Sequence, residues 1–259
     1  MRVAAVNYLL SPQGLVSHYR DVLERCALSH VDLAVLPENT SFELLFGEPS
    51  TDQLMELRDF LTMFSRETSM TIIAGTHLIE GENVAWQVAG GFIVPQTKNK
   101  MTTYEREEFR LTPGSSLSPI TKDIGTLICY DSEFPEAGRA LAESGRTIIC
   151  VPAFTETEHG FWRVRNSCLA RAIENQVFVI HSSLVGSLGK EPVPTAVGSS
   201  AIIAPSIEPY PAGGILAETE WNQEGIAIAD ISIDELLEAR TKGDVRNWED
   251  RTPDCWTVR

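Results

Sequence analysis

Apolar and polar residues alternate along this chain in blocks that predict strands and amphipathic helices in turn. Short apolar runs predict strands, beginning with Arg2–Tyr8 and Leu33–Leu36. Longer segments with apolar residues near positions i, i+3 and i+4 predict helices, beginning with Val16–Ser29 and Asp52–Thr68. A regular succession of strands and helices is typical of α/β proteins, so the pattern predicts an α/β fold.

The same alternation continues through the rest of the chain. Further strands are predicted at Thr71–His77, Gly125–Cys129, Thr147–Val151, Val177–Ser182, Ser199–Ala204 and Gly225–Asp230. Further helices are predicted at Glu136–Ser144, Phe161–Asn175 and Ile233–Arg240. Between these, Val84–Val94 predicts antiparallel pairing, with Gly90-Gly91 as a bulge.

The chain contains no linker, low-complexity tract or internal repeat that would divide it. Its 259 residues are enough for one large core, so we predict a single domain over residues 1–259. The last stretch, Asp244–Arg259, has little periodicity. We expect it to form a C-terminal arm that packs on the body or on another subunit.

The charge balance is strongly acidic, with 36 Asp and Glu against 21 Lys and Arg, a net charge of −15. Nucleic acids and anionic membranes bind basic surfaces, so we expect neither as a partner. No apolar run approaches the roughly 18 residues of a membrane span. The apolar run at the N-terminus is too short for a signal peptide, which predicts a cytoplasmic location.

One of the five cysteines stands in a polar neighbourhood. None of the five forms a C-x-x-C pair, which argues against a zinc site or a thioredoxin motif; they are Cys26, Cys129, Cys150, Cys168 and Cys255. Only Cys129 is followed by a polar run, Tyr130-Asp131-Ser132-Glu133. A thiol between a strand and a helix can be activated by a lowered pKa and by neighbouring groups. Cys129 is therefore a candidate nucleophile. A redox-sensing thiol is the alternative, but no resolving cysteine is nearby in sequence.

Two other predicted strand ends carry chemically useful side chains. Glu38 follows the strand Leu33–Leu36, and Lys98 follows the antiparallel stretch. A thiol nucleophile needs a base, and Glu38 could serve. A tetrahedral oxyanion needs fixed positive donors, which Lys98 and the backbone N–H of Tyr130 could supply. Together these groups suit acyl transfer from a C–N bond, a reaction for which we expect no metal or cofactor.

These residues resemble a known family. The residues Pro37-Glu38, Lys98 and Cys129-Tyr130-Asp131-x-x-Phe134-Pro135-Glu136 resemble the Glu–Lys–Cys set of the nitrilase superfamily, the carbon–nitrogen hydrolases. Ala170–Gln176 and Ser199–Pro205 resemble later family motifs, in the same order, so the resemblance covers nearly the whole chain. It implies a four-layer αββα sandwich. It also implies a homodimer or larger homo-oligomer formed through the helices on the sheet faces.

The resemblance also implies a role for each site residue. Cys129 would attack a small amide and form a thioester, so that ammonia or an amine leaves and water releases the acid. Glu38 would be the base, and Glu105 would hold the lysine and orient the amide. Tyr130 and Phe154 would contact the substrate. A tyrosine after the cysteine resembles the amidase branches, whereas true nitrilases resemble Cys-Trp-Glu.

Two questions stay open at this point. The family pattern resembles Lys-x-His-Leu-x-x-x-Glu, and Lys100 stands at the histidine position. Lys100 could itself be the catalytic lysine, because Glu107 stands seven residues after it. Thr103 would then occupy the position of the pattern's leucine, where Lys98 has the apolar Met101, so the pattern favours Lys98. The second question is the activity, because a nitrile hydrolase and a non-catalytic binding protein of the same fold remain alternatives.

Overall fold

The computed structural model describes residues 1–46 and 51–251. Within these ranges the strands are β1 (Arg2–Leu9), β2 (Leu33–Leu36), β3 (Thr71–Ile79), β4 (Glu82–Ala89), β5 (Phe92–Thr97), β6 (Ile124–Thr126), β7 (Ile148–Phe154), β8 (Phe178–Val185), β9 (Ala201–Ile203), β10 (Ile215–Glu218) and β11 (Gly225–Asp230). The α-helices are α1 (Leu15–Leu28), α2 (Thr51–Thr68), α3 (Thr103–Glu107), α4 (Pro135–Glu143), α5 (Glu158–Asn175) and α6 (Ile233–Lys242). Two 3₁₀ segments, Thr40–Phe46 and Cys129–Glu133, complete the described elements.

The strands form two sheets that meet at β1. In the first sheet the order is β5-β4-β3-β2-β1-β11, with β1, β2 and β3 parallel and the others antiparallel to their neighbours. In the second sheet the order is β6-β7-β8-β9-β10, with β6, β7 and β8 parallel. The end of β1 joins the sheets, because Tyr8 and Leu9 pair with Leu184 and Val185 of β8.

The sheets stack face to face, and helices cover both outer faces. Successive side chains of a strand point to opposite faces, so a strand buried on both faces is apolar throughout. In β1, Val3 and Ala5 belong to the core between the sheets, while Ala4 and Val6 pack with α1 and α2. On the far side, α4 and α5 pack on β7 and β8. The order helix, sheet, sheet, helix is the four-layer αββα sandwich expected from the sequence.

Most predicted elements are present, and the differences lie at turns. The strand predicted over Gly125–Cys129 ends at Thr126, and Cys129 begins a 3₁₀ segment instead. Gly90 and Gly91 are not a bulge; they form the turn between β4 and β5, with φ values of 57° and 82° that glycine adopts at little cost. Helix α3 and strand β10 had no counterpart among the sequence predictions.

The described part of the predicted C-terminal arm lies on the body of the same chain. The ring of Trp248 is covered by three guanidinium groups, those of Arg139, Arg240 and Arg251, at 5.7, 4.9 and 3.6 Å from its centroid. The remainder of the arm, residues 252–259, is outside the described residues. In the described part of the chain, no helix is both long enough and apolar enough to cross a membrane.

Candidate active site

Several strand ends converge on one cavity of about 220 Å³. Glu38 follows β2, Lys98 follows β5, Phe154 ends β7, and Cys129 follows β6 by a short connection. All six side chains that the sequence singled out line this cavity: Glu38, Lys98, Glu105, Cys129, Tyr130 and Phe154. Residues far apart in sequence are thus brought together at the carboxyl ends of the strands, where α/β sheets bind ligands.

Lys98 lies at the centre of the cluster and is only 1% exposed. Its Nζ donates to Glu38 Oε1 at 2.8 Å and to the two carboxylate oxygens of Glu105 at 2.7 and 2.8 Å. Burial opposes the positive charge, but the carboxylates outweigh it and hold the pKa of Lys98 above its usual value. Lys100 is exposed, with its ammonium 5.3 Å from the centroid of the Phe134 ring. The geometry therefore favours Lys98 over Lys100 as the lysine of the site.

Glu38 is a second buried residue that lines the cavity, and it is 2% exposed. Its Oε1 accepts from Lys98 and from Asn83 Nδ2 at 2.9 Å, and its Oε2 accepts from the backbone N–H of Phe154 at 3.1 Å. Burial raises the pKa of Glu38, and although Lys98 acts in the opposite direction, the net shift is upward. A carboxylate with a raised pKa suits proton transfer near neutral pH.

Glu105 is held by the helix in which it sits. It forms a capping box at the start of α3, in which Oε2 accepts from the backbone N–H of Thr102 at 2.9 Å. Its Oε1 also accepts from Asn83 Nδ2 at 3.1 Å. Burial would raise the pKa of Glu105, but Lys98 and these donors outweigh burial and lower it. Glu105 therefore remains ionised and fixes the lysine, rather than being a surface acid of a charged run.

Cys129 is 5% exposed, and its backbone has a φ of 45°. Its Sγ lies 3.5 Å from the carbonyl oxygen of Phe154. Burial raises the pKa of the thiol well above its usual value; the carboxylate of Glu38 adds to this and Lys98 opposes it. Of the two means of activation that the sequence analysis named, a lowered pKa and neighbouring groups, the raised pKa leaves the neighbouring groups. The protonated thiol needs a base, and Glu38 is the neighbouring carboxylate.

Two further residues support this geometry and were not predicted. Asp131 ties two loops together, because its carboxylate accepts from the backbone N–H groups of Asn99 at 3.1 Å, Lys100 at 2.7 Å and Ile128 at 3.3 Å. Asn83 bridges the two glutamates through its Nδ2. Asp131 stands inside the cysteine motif, so the sequence did offer a signal for it. No sequence signal marked Asn83, a polar residue in β4.

Potential metal ligands are not clustered in the part of the chain that the structure describes. Within residues 1–46 and 51–251, no group of three or more His, Cys, Asp or Glu side chains is placed to hold a metal ion. Among the side chains that line the cavity, the thiol of Cys129, the carboxylates of Glu38 and Glu105 and the ammonium group of Lys98 are those that the sequence singled out for chemistry. These are acid–base and nucleophilic groups.

Comparison with known proteins gives similarity over nearly the whole chain. The model of the carbon–nitrogen hydrolase family matches residues 2–241. A Bacillus subtilis (strain 168) protein described as the probable hydrolase YhcX is 32% identical over 94% of this chain and 51% of its own length, so the chain spans about half of that relative. A nitrilase of Pyrococcus abyssi is 26% identical over 87% of this chain and 86% of its own length.

A solved structure shows the same fold. A mutant form of the amidase of Nesterenkonia sp. AN1 superposes with a TM-score of 0.72 at 22% identity, covering 93% of this chain and 97% of that one. In that amidase, acrylamide has undergone Michael addition at the active-site cysteine. The similarity confirms the four-layer α/β architecture and, with the family match, the resemblance seen in the sequence.

Proposed function

Because this chain belongs to the carbon–nitrogen hydrolase family, we propose that it hydrolyses a small linear amide through a cysteine thioester. The observation that carries the proposal is the arrangement around Lys98, whose ammonium contacts Glu38 and Glu105 in the cavity that Cys129 lines. A nucleophile, a base and a fixed cation in one buried site are the groups that acyl transfer requires.

Acylation begins at the thiol. Glu38 takes the proton from Cys129 as Sγ attacks the carbonyl carbon of the amide. The C–O π electrons move to oxygen, and the resulting oxyanion is stabilised by the Lys98 ammonium and the backbone N–H of Tyr130. Glu38 then returns the proton to the nitrogen as the C–N bond breaks. Ammonia or an amine leaves, and the acyl group stays on Cys129 as a thioester.

Deacylation uses the same carboxylate a second time. Glu38 takes a proton from water as the water oxygen attacks the thioester carbon. The tetrahedral intermediate collapses, the C–S bond breaks, and the sulfur recovers a proton from Glu38. The products are the carboxylic acid and free enzyme. The raised pKa of Glu38 supports this double role, because a carboxyl that both accepts and returns a proton works best when its pKa lies near the working pH.

Self-association belongs to the proposal as well. The outer face of α5 carries the half-exposed side chains of Trp162 and Ile173, at 53% and 38% exposure. An exposed apolar stripe on a covering helix suits an isologous contact between two copies. We propose a homodimer or larger homo-oligomer that contacts through this face, and the molar mass measured by light scattering tests it.

Ammonia release from matched amides and nitriles tests the activity. The enzyme should release ammonia from small aliphatic amides, and Cys129→Ala and Glu38→Gln should each lower kcat by about 10³-fold or more. Cys26→Ala, which removes a thiol on the buried face of α1 and outside the cavity, is the matched control and should keep the activity. Near-normal turnover in either site variant would contradict the mechanism. Release from nitriles alone would assign the nitrilase alternative, and no release from either would favour the binding-protein alternative.

A further inference from the structure

A second pocket of about 350 Å³ opens beside the catalytic cavity. It shares four lining residues with the cavity, namely Thr102, Tyr130, Glu133 and Arg163. Its other two lining residues are Thr103 and Arg106. The shared residues, which include the neighbour of Cys129, place this pocket directly beside the catalytic cavity. We call it the arginine pocket.

Arg163 reaches the arginine pocket from the first turns of α5. Its Nε donates to both carboxylate oxygens of Glu133 at 2.8 Å. Within the described residues, its two terminal nitrogens form no hydrogen bond. A guanidinium held at one edge has its remaining N–H groups fixed in orientation, and these can bind a second carboxylate in bidentate fashion. Glu133 therefore orients Arg163 without occupying all of its donors.

Arg106 adds a charge that nothing in the pocket compensates. In the part of the chain that the structure describes, its side chain forms no ion pair or hydrogen bond. Two arginines thus line the pocket against one carboxylate, Glu133, which leaves an excess of one positive charge. The excess is local, since the whole chain carries a net charge of −15. Glu156 also borders the catalytic cavity, but it does not line the arginine pocket.

We propose that the arginine pocket binds a carboxylate at the far end of the amide substrate. The preferred substrate class is then the monoamide of a dicarboxylic acid, with the amide at Cys129 and the carboxylate between Arg163 and Arg106. The hydroxyl of Thr103 provides a further polar group there. This inference rests on the proposed amide hydrolysis and specifies its substrate. Unpaired positive charge beside a reaction site also raises the local concentration of anions.

Matched substrates that differ only at the far end test the proposal. Succinamate carries a carboxylate where butyramide carries a methyl group and 4-aminobutanamide carries an aminomethyl group. The enzyme should favour succinamate over butyramide by about tenfold or more in kcat/KM, which corresponds to about 1.4 kcal/mol. Arg163→Gln and Arg106→Gln should each lower this ratio by about tenfold. Glu133→Gln should raise it, because the amide oxygen can still accept from Arg163 Nε while the competing negative charge is removed.

Arg110→Gln is the matched control, since Arg110 is an exposed arginine four residues after Arg106 that does not line either space. It should leave the ratio unchanged. A wild-type ratio near one, a preference for 4-aminobutanamide, or an equal effect of Arg110→Gln would overturn the proposal.

A binding measurement separates this proposal from the proposed function. Succinate should protect Cys129 from alkylation by iodoacetamide in the wild-type protein, and the protection should be lost in Arg163→Gln. This readout needs no turnover. Protection without hydrolysis of any amide would support the pocket and contradict the hydrolase. Hydrolysis of amides without protection by succinate would support the hydrolase and contradict the pocket.

Discussion

At the residue scale, the candidate nucleophile Cys129 and the candidate base Glu38 lie in surroundings that favour the uncharged form of both. Burial raises the pKa of the Cys129 thiol and of the Glu38 carboxyl alike. The backbone of Cys129 also adopts a left-handed φ of 45°, a conformation that costs a non-glycine residue roughly 1–3 kcal/mol. Strain of this kind persists where surrounding contacts enforce it, as Asp131 does here. We infer that the strain fixes the direction of the thiol.

The assisted thiol gives a prediction about alkylation. Iodoacetamide should modify Cys129 before Cys26, Cys150 and Cys168, because those three are fully buried outside the cavity, whereas Cys129 lines the cavity beside Glu38. Glu38→Gln should slow the reaction of Cys129 by about tenfold or more, since the base is removed. Peptide mass mapping over time measures both rates. Equal, slow modification of all four thiols would contradict the nucleophile.

The raised pKa of Glu38 determines how the activity should fall in acid under the proposed mechanism. Glu38 must be ionised to accept the thiol proton, and its pKa is raised above 4.5. Activity should therefore be complete at pH values above the raised pKa and should fall as the pH drops through it. The pH profile of kcat/KM measures the midpoint, which should lie above the ordinary glutamate value of about 4.3. A midpoint at or below that value would mean that a group other than Glu38 controls the loss of activity in acid.

At the element scale, the site depends on two loops that a single carboxylate connects. Asp131 belongs to the 3₁₀ segment that begins at Cys129, and it binds the backbone of the loop that follows Lys98. The sequence showed the cysteine motif but did not predict the 3₁₀ segment. The apolar run before Cys129 continues from β6 without a break, so nothing in it marks the residue at which strand pairing ends. The Thr102–Glu105 capping box was readable from its spacing, yet α3 is too short to show helical periodicity.

The connection between the loops is testable at Asp131. Asp131→Asn keeps the shape of the side chain but replaces one acceptor oxygen with a donor, which cannot pair with backbone N–H groups. The variant should lower kcat by about 10–100-fold and change KM much less, because Lys98 and Cys129 would lose their relative position. Steady-state kinetics measure the separate changes in kcat and KM. The control Asp123→Asn, outside the cavity lining, should leave both constants unchanged. A rise in KM alone in Asp131→Asn would argue for a substrate-binding role.

At the scale of the whole molecule, the sandwich encloses polar groups in their neutral state. His77 on β3 is fully buried and lies against the ring of Trp86, with ring centroids 4.3 Å apart. Burial lowers its pKa to about 3. His181 on β8 is likewise buried, and burial together with Arg165 lowers its pKa. Both histidines are therefore uncharged in the folded protein and become protonated when the chain unfolds in mild acid.

Acid should accordingly destabilise the fold through these two histidines. The unfolded state gains the His77 proton near pH 6.5 and the folded state only near 3, so the free energy of unfolding should fall as the pH drops below 6.5. By pH 5 the loss from His77 is about 2 kcal/mol. Urea unfolding between pH 7 and pH 5 measures it. His77→Phe should make this dependence shallower, leaving the part due to His181, and His30→Asn, at an exposed position, should not change it. An unchanged slope in His77→Phe would contradict the assignment.

The sequence predicted the four layers through the family motifs, and it marked the candidate site residues, which the structure brings to one cavity, through their place after predicted strands. It could not predict which strands are neighbours, because pairing depends on residues far apart in the chain. β1 shows this best: its hydrophobic pattern marks a buried strand, but nothing in it indicates β2, β8 and β11 as partners. Asn83 was not predicted for the same reason, because its role depends on hydrogen bonds to Glu38 and Glu105, which are distant in the sequence.

The pairing of β1 has a consequence for the newly made chain as it leaves the ribosome. Residues Arg2–Asn7 pair on one side with β2, which is synthesised soon afterwards, and on the other with β11, which ends at Asp230. Until β11 emerges, that second edge has unpaired backbone groups and apolar side chains, the features that lead nascent chains to aggregate. One edge of β1 therefore stays unpaired until β11 has been synthesised. A polypeptide that stops before residue 225 lacks β11 and leaves one edge of β1 unpaired. We expect chaperones and proteases to recognise such a chain as unfolded.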